Sequence, residues 1–203
     1  MNFLAHLFLA PQTKESHIGS LLADFIRIGN DQLQHHFSPG ITDAVILHRK
    51  IDVFTDAHPD VAAAVHLLFS KYRHYSRIAV DIYFDHFLSK NWSRFSSIPF
   101  GKFIDSVHQS FSIMPSGLPE NFCLFTKRLR TFEILEAYGS IEDLKEVFSR
   151  TEMRIKSKPG IDSAWVEMLA NYSEFNRLFN SFFPQIIDVF ATVDNVNSLS
   201  THV

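Results

Sequence analysis

Apolar residues recur every three to four positions along most of this chain, and short clusters of proline, glycine and serine interrupt them. Taken in order, the interruptions predict helices near 2–10, ended by Pro11, and near 16–28, with Ser16 as N-cap and Gly29-Asn30 as the stop. Pro39-Gly40 opens a long helix near 41–57 that closes before Pro59, and helices near 59–70 and 73–91 follow. After the break at Ser96 to Pro99 come helices near 99–112, 119–137 and 140–155. Lys158-Pro159-Gly160 precedes a helix near 161–181, and Pro184 starts a last one reaching about 195. The expected fold is all-α, a single-domain multi-helix bundle over 1–196, with a polar tail at 197–203 that frays.

Composition agrees with this pattern. A chain of 203 residues with 46% hydrophobic and 20% charged residues is too apolar to be disordered and suits one core. Only 7 glycines and 8 prolines favour long helices over a turn-rich β design. The 21 phenylalanines are best read as core filling, the alternative being an apolar groove for a partner helix. A net charge of -3 argues against nucleic-acid binding through a global basic field. The single cysteine, Cys123, excludes an internal disulfide framework and a cysteine-built zinc site. No eighteen-residue apolar run occurs, and the opening segment lacks a basic start and is broken by His6. A cytoplasmic protein without a membrane span is expected.

The ionisable residues carry the chemistry. Asp24 lies within Leu21 to Ile26, His48 and Asp52 within Val45 to Phe54, and Asp81, Asp85 and His86 within Ile78 to Leu88. His48 and Asp52 are four apart and share one helical face, with Asp56 extending the row; Asp81 and Asp85 repeat the spacing. Positions inside apolar segments are expected to be buried, and buried carboxylates cost several kcal/mol unless paired. Local acids outnumber local bases here, so a divalent cation is the simplest compensation. Oxygen and imidazole donors without thiolate suit Mn²⁺, Mg²⁺ or Fe²⁺. Each residue also has a plain structural reading: His48 as a hydrogen-bonded core histidine, Asp52 paired with Arg49 or a lysine, Asp81 bonded to a loop. His58 and the pair His35-His36 read as surface or loop residues.

Four ordered motifs give the chain a resemblance. Asn2-Phe3-Leu4-Ala5-His6-Leu7, then Gly19 to Phe25, then His48-Arg49-x-x-Asp52-x-x-Thr55-Asp56-x-His58-Pro59, and Asp81-x-x-x-Asp85-His86-Phe87-Leu88 with Asn91-Trp92 follow one another. Together they resemble the acyl carrier protein phosphodiesterase family, which is itself similar to the helical HD-type metal-dependent phosphohydrolases. Ser20 and Ile28 depart from the family pattern, which typically has asparagine and often has glycine there.

The resemblance implies hydrolysis of holo-acyl carrier protein to the apo form and 4'-phosphopantetheine, with Mn²⁺ favoured. It implies Asp24, His48, Asp52, Asp81, Asp85 and His86 as metal or catalytic positions, with Asp24, His48 and His86 in the catalysis; His6 and Asp56 carry over less directly. Arg27 or Arg49 would neutralise phosphate charge, and His48, His86 or His6 would protonate the leaving serine oxygen. An acidic partner calls for a basic face, for which Lys127-Arg128-x-Arg130, Arg150 to Lys158, and Arg73 with Arg77 are candidates. Two other readings stand beside this one. One is an HD-like hydrolase of nucleotides or other small phosphodiesters; the other is a non-catalytic helical binding module.

Overall fold

Prolines and short polar caps set where the helices start. Pro39 and Pro59 each occupy a first helical turn, where a missing N–H costs nothing. The computed structural model describes residues 1–190, and every regular element among them is helical. In chain order these are α1 (Phe3–Leu9), α2 (Lys14–Leu22), α3 (Pro39–Ala57), α4 (Pro59–Tyr72), α5 (Ser76–Lys90) and α6 (Trp92–Phe95). Then come α7 (Phe100–Ser110), α8 (Glu120–Thr131), α9 (Ile141–Arg154), α10 (Ala164–Ala170) and α11 (Tyr172–Phe190). The all-α expectation holds. The last helix beyond 190 and the tail 197–203 lie outside the described residues. No described helix is long and apolar enough to cross a membrane.

Several boundaries differ from the sequence pattern, each for a local reason. Thr13 rather than Ser16 caps α2, because its hydroxyl reaches the Ser16 amide at 3.2 Å. That helix stops at Leu22, and Ala23–Phe25 form a 3-10 turn that carries Asp24 out of the helical row. Arg73, at φ 52°, breaks the path between α4 and α5. Glu133 at φ 46° likewise follows the end of α8. The helix expected over 161–181 is divided at Asn171, whose side chain donates to the Glu167 carbonyl at 3.2 Å. Pro184 lies inside α11 rather than at a helix start. An interior proline costs ~3 kcal/mol, but burying Phe175, Phe179, Phe182 and Phe183 along one face returns ~1.5–3 kcal/mol for each ring.

The phenylalanines fill the core. Phe84 on α5 meets Phe179 and Phe182 on α11 with centroids 5.6 Å apart in both cases, and Phe95 meets Phe183 at 5.0 Å. Buried α1 packs against α2 and α5, while α2 lies along α3 in the most extensive helix pairing of the fold. Gly19 makes that pairing possible. A Cβ there would stand 2.4 Å from the Ile41 carbonyl oxygen and 2.7 Å from Ala44 Cβ. His48 follows Ala44 by one turn of α3, so this close approach decides what its ring meets.

Candidate functional site

Helix α3 presents His48 and Asp52 on one face, and its contact with α2 fixes the first of them. His48 Nδ1 donates to the Ser20 backbone carbonyl at 2.6 Å. Because the carbonyl does this work, the departure from asparagine at Ser20 leaves the contact intact. The other ring nitrogen, Nε2, then faces two carboxylates, 3.1 Å from Asp52 Oδ2 and 3.4 Å from Asp24 Oδ1. From α1, His6 stacks on His48 with centroids 3.7 Å apart and planes 12° from parallel. His6 Nε2 stands 3.1 Å from Asp52 Oδ1 but off the angle of a hydrogen bond, so both nitrogens of this buried ring are unbonded.

Electrostatics follow from that packing. Burial opposes charge on His48, but its hydrogen bonds to Asp24 and Asp52 outweigh burial and raise its pKa to about 9. Burial and the adjacent charge of His48 push His6 down to about 4. Asp52 loses solvation, yet the bond to the charged His48 holds its carboxyl well below the usual carboxylate range. One imidazolium, one neutral imidazole and one carboxylate thus share the centre.

His6, His48 and Asp52 each offer a donor atom, and those atoms lie within 4.8 Å of one another. Two imidazoles and an oxygen, with Asp24 beside them, form a thiolate-free donor set suited to a hard or borderline divalent ion. The unbonded nitrogens of His6 are the stronger argument, since a buried polar atom without a partner costs ~1–3 kcal/mol. An ion at this position would use it, so the residues fit a metal.

The other candidates are placed differently. Asp24, Asp52 and Asp81 are not sunk in the core as their apolar neighbours imply: their side chains are 50%, 43% and 34% exposed. Asp24 and Asp81 line a recess between helices, which periodicity on a single helix cannot reveal. Asp81 pairs with the Met1 amino group at 3.2 Å, and burial raises its pKa despite that cation. Asp85 is fully buried but turned to α1, accepting from the Leu4 N–H at 2.8 Å and the Ala5 N–H at 3.2 Å. Burial raises its pKa to about 8 against those bonds.

His86, one residue on, points about 100° further round the helix. Its Nδ1 meets the Tyr138 carbonyl at 2.7 Å and its Nε2 the Tyr172 hydroxyl at 3.1 Å. The structure therefore brings His6, Asp24, His48 and Asp52 together and leaves Asp85 and His86 as struts between elements. Asp56 is exposed and pairs with Arg77. Arg27 is exposed. Arg49 donates to Asn30 Oδ1 at 2.6 Å on the wall of a separate recess with Phe54 and His58. His58 lies in the link between α3 and α4, as a loop reading has it, but is buried rather than at the surface, and it caps α4 by accepting from the Asp60 N–H at 3.2 Å. The signal for His6 was present in the sequence, as a single imidazole in the otherwise apolar run Leu4 to Ala10.

A cavity of about 370 Å³ opens beside the cluster. It lies between the start of α1, α5 and α9, with Asp24 and Asp81 on its wall beside Ile78, Ile82, Val147 and Arg154. A second recess of about 380 Å³ shares Phe3, Asp24, Ile134 and Arg154 with it and adds Arg128 from α8.

Residues 1–186 match the family model described as acyl carrier protein phosphodiesterase. Among curated proteins, the acyl carrier protein phosphodiesterase of Salmonella agona (strain SL483) is 31% identical over 188 residues, covering 92% of this chain and 96% of the relative. The proteins of the same name from Salmonella newport (strain SL254) and Salmonella heidelberg (strain SL476) give the same identity and coverage. No solved structure gives a significant match.

Proposed function

Since the chain belongs to the acyl carrier protein phosphodiesterase family, we propose that it hydrolyses the 4'-phosphopantetheine–serine linkage of holo-acyl carrier protein, using the centre built on His6, His48, Asp52 and Asp24. The observation that carries this reading is the meeting of two stacked imidazoles and two carboxylates at the edge of a cavity large enough for part of a substrate. His6, His48 and Asp52 would hold a divalent ion, Mn²⁺ favoured, with Mg²⁺ or Fe²⁺ also suited to the donors; when bound it supplies positive charge for the phosphodiester and acidity for a water.

The chain's own groups divide the remaining work. His48, fixed by the Ser20 carbonyl, keeps Nε2 aimed at the centre. Used as a ligand, that nitrogen is not free to be the proton donor as well. Asp24 is the carboxylate of the cluster that faces both recesses, so it is placed to take the proton of the attacking water. The P–O bond to the carrier serine breaks as the new P–O bond forms, and the serine oxygen needs a proton. Asp81, paired with the Met1 amino group on the same cavity wall, stands where that proton is supplied.

Mass spectrometry tests this directly. Chelated protein given Mn²⁺ should convert holo to apo carrier protein, with the mass falling by one phosphopantetheinyl group. Retained metal with no change in carrier mass would overturn the proposal.

A further inference from the structure

Five of the ten arginines of this protein have a side-chain partner among the described residues. Arg150 bonds Glu146, Arg177 bonds Glu174, Arg77 bonds Asp56, and Arg49 and Arg94 each bond an asparagine. Among the described residues, Arg128 and Arg154 make no ion pair or side-chain hydrogen bond; both are exposed, and both face the recess that contains Asp24. They arrive from different elements, α8 and α9, separated by 26 positions in the sequence. Two unpaired guanidiniums beside a carboxylate and a donor cluster make a binding place for a dianion such as a phosphomonoester.

From that wall the cavity between α1, α5 and α9 extends past Asp24. Its sides mix apolar Ile78, Ile82 and Val147 with Thr151, the pair formed by Asn2 Nδ2 and the Tyr138 hydroxyl at 2.9 Å, and the charged groups of Asp143 and of Glu146 bonded to Arg150. Such a lining suits a chain that carries amides and methyl groups in alternation better than a purely hydrocarbon tail.

Resting on the function proposed above, we infer that this cavity receives the pantetheine arm of the substrate and that Arg154 and Arg128 hold its phosphate, making them positioning residues for the scissile bond. The carrier protein itself then stays outside, with only its prosthetic group inserted. Of the arginines offered as docking-face candidates, Arg128 and Arg154 act on the phosphate.

Binding of free 4'-phosphopantetheine and of pantetheine, measured by calorimetry on the full chain, tests this. The phosphorylated compound should bind and compete with holo-carrier protein. Arg154→Ala should weaken it about tenfold or more while leaving pantetheine affinity in place. Val147→Phe, which fills the cavity, should weaken both compounds and raise KM for holo-carrier protein. Hydrogen exchange on the wild type needs no variant: 4'-phosphopantetheine should protect the amides around 78–82 and 147–151. Absence of that protection, or unchanged affinity in both variants, overturns the cavity assignment while holo-to-apo conversion would leave the enzymatic reading standing. Conversely, binding that depends on Val147 and Arg154 in a protein that never converts holo-carrier protein would sink the enzymatic reading and keep the binding site.

Discussion

Removing the Asp85 carboxyl should destabilise the protein without removing a metal ligand. Its two oxygens accept from Leu4 and Ala5 at 2.8 and 3.2 Å, at the start of the helix that carries His6. Leu4 and Ala5 are both fully buried, so in Asp85→Ala neither amide can turn to water. Each orphaned donor costs ~1–3 kcal/mol, giving ~2–6 kcal/mol for the pair. Part of that is offset, because the wild type bears the expense of burying an acid whose pKa has risen to about 8. A net loss of ~2–4 kcal/mol remains, equivalent to ~4–16 °C in Tm for a chain of this size.

Asp85→Asn keeps one acceptor but sets an amide NH2 against the other N–H, so it should lose ~1–3 kcal/mol, less than Asp85→Ala. The assay is urea unfolding at pH 6 with metal chelated, followed by metal uptake on the folded fraction. Both variants should take up the metal with wild-type stoichiometry. Equal stability of Asp85→Ala and wild type would refute the helix-anchoring argument. Equal damage in both variants, with loss of metal, would show that the charge of Asp85 serves the ion.

Three further outcomes are expected. In chelated protein the raised His48 pKa contributes stability that is complete below 6.5 and lost as pH climbs through about 9, whereas the depressed Asp52 pKa contributes stability present above 3.8 and lost on acidification. His48→Asn should therefore flatten the alkaline limb of a stability–pH curve by ~3 kcal/mol at most, since partly exposed Asp52 is screened; an unchanged limb would refute the pairing. His6→Ala should lower metal affinity by at least ~10-fold in an equilibrium dialysis titration while the helical signal in circular dichroism is retained, and full affinity would place the ion elsewhere. Gly19→Ala drives a methyl group into the Ile41 carbonyl and should cost ~1–3 kcal/mol in a denaturant melt; wild-type stability would show that α2 and α3 can separate freely.

The sequence by itself determined that this is a helical protein and which residue types its chemistry has to use. Pro39, Pro59 and the apolar periodicity fixed where α3 and α4 run, and the four-residue spacing put His48 and Asp52 on one face. Periodicity relates residues to their own helix only. It does not say which neighbour that face meets, and this is where the reading from sequence and the structure part. Asp85 and His86 share a helix with Asp81, yet they are spent on the N–H groups of α1 and on Tyr138 and Tyr172.

His6, eighteen residues from Asp24 and on another element, reaches the centre because α1 packs beside α2 and α5. Arg128 and Arg154 meet at one recess for the same reason, through the packing that follows α8. A buried polar group must find a partner wherever the tertiary contacts supply one. Only the folded arrangement could decide which carboxylates became struts and which were left facing a cavity with chemistry to perform.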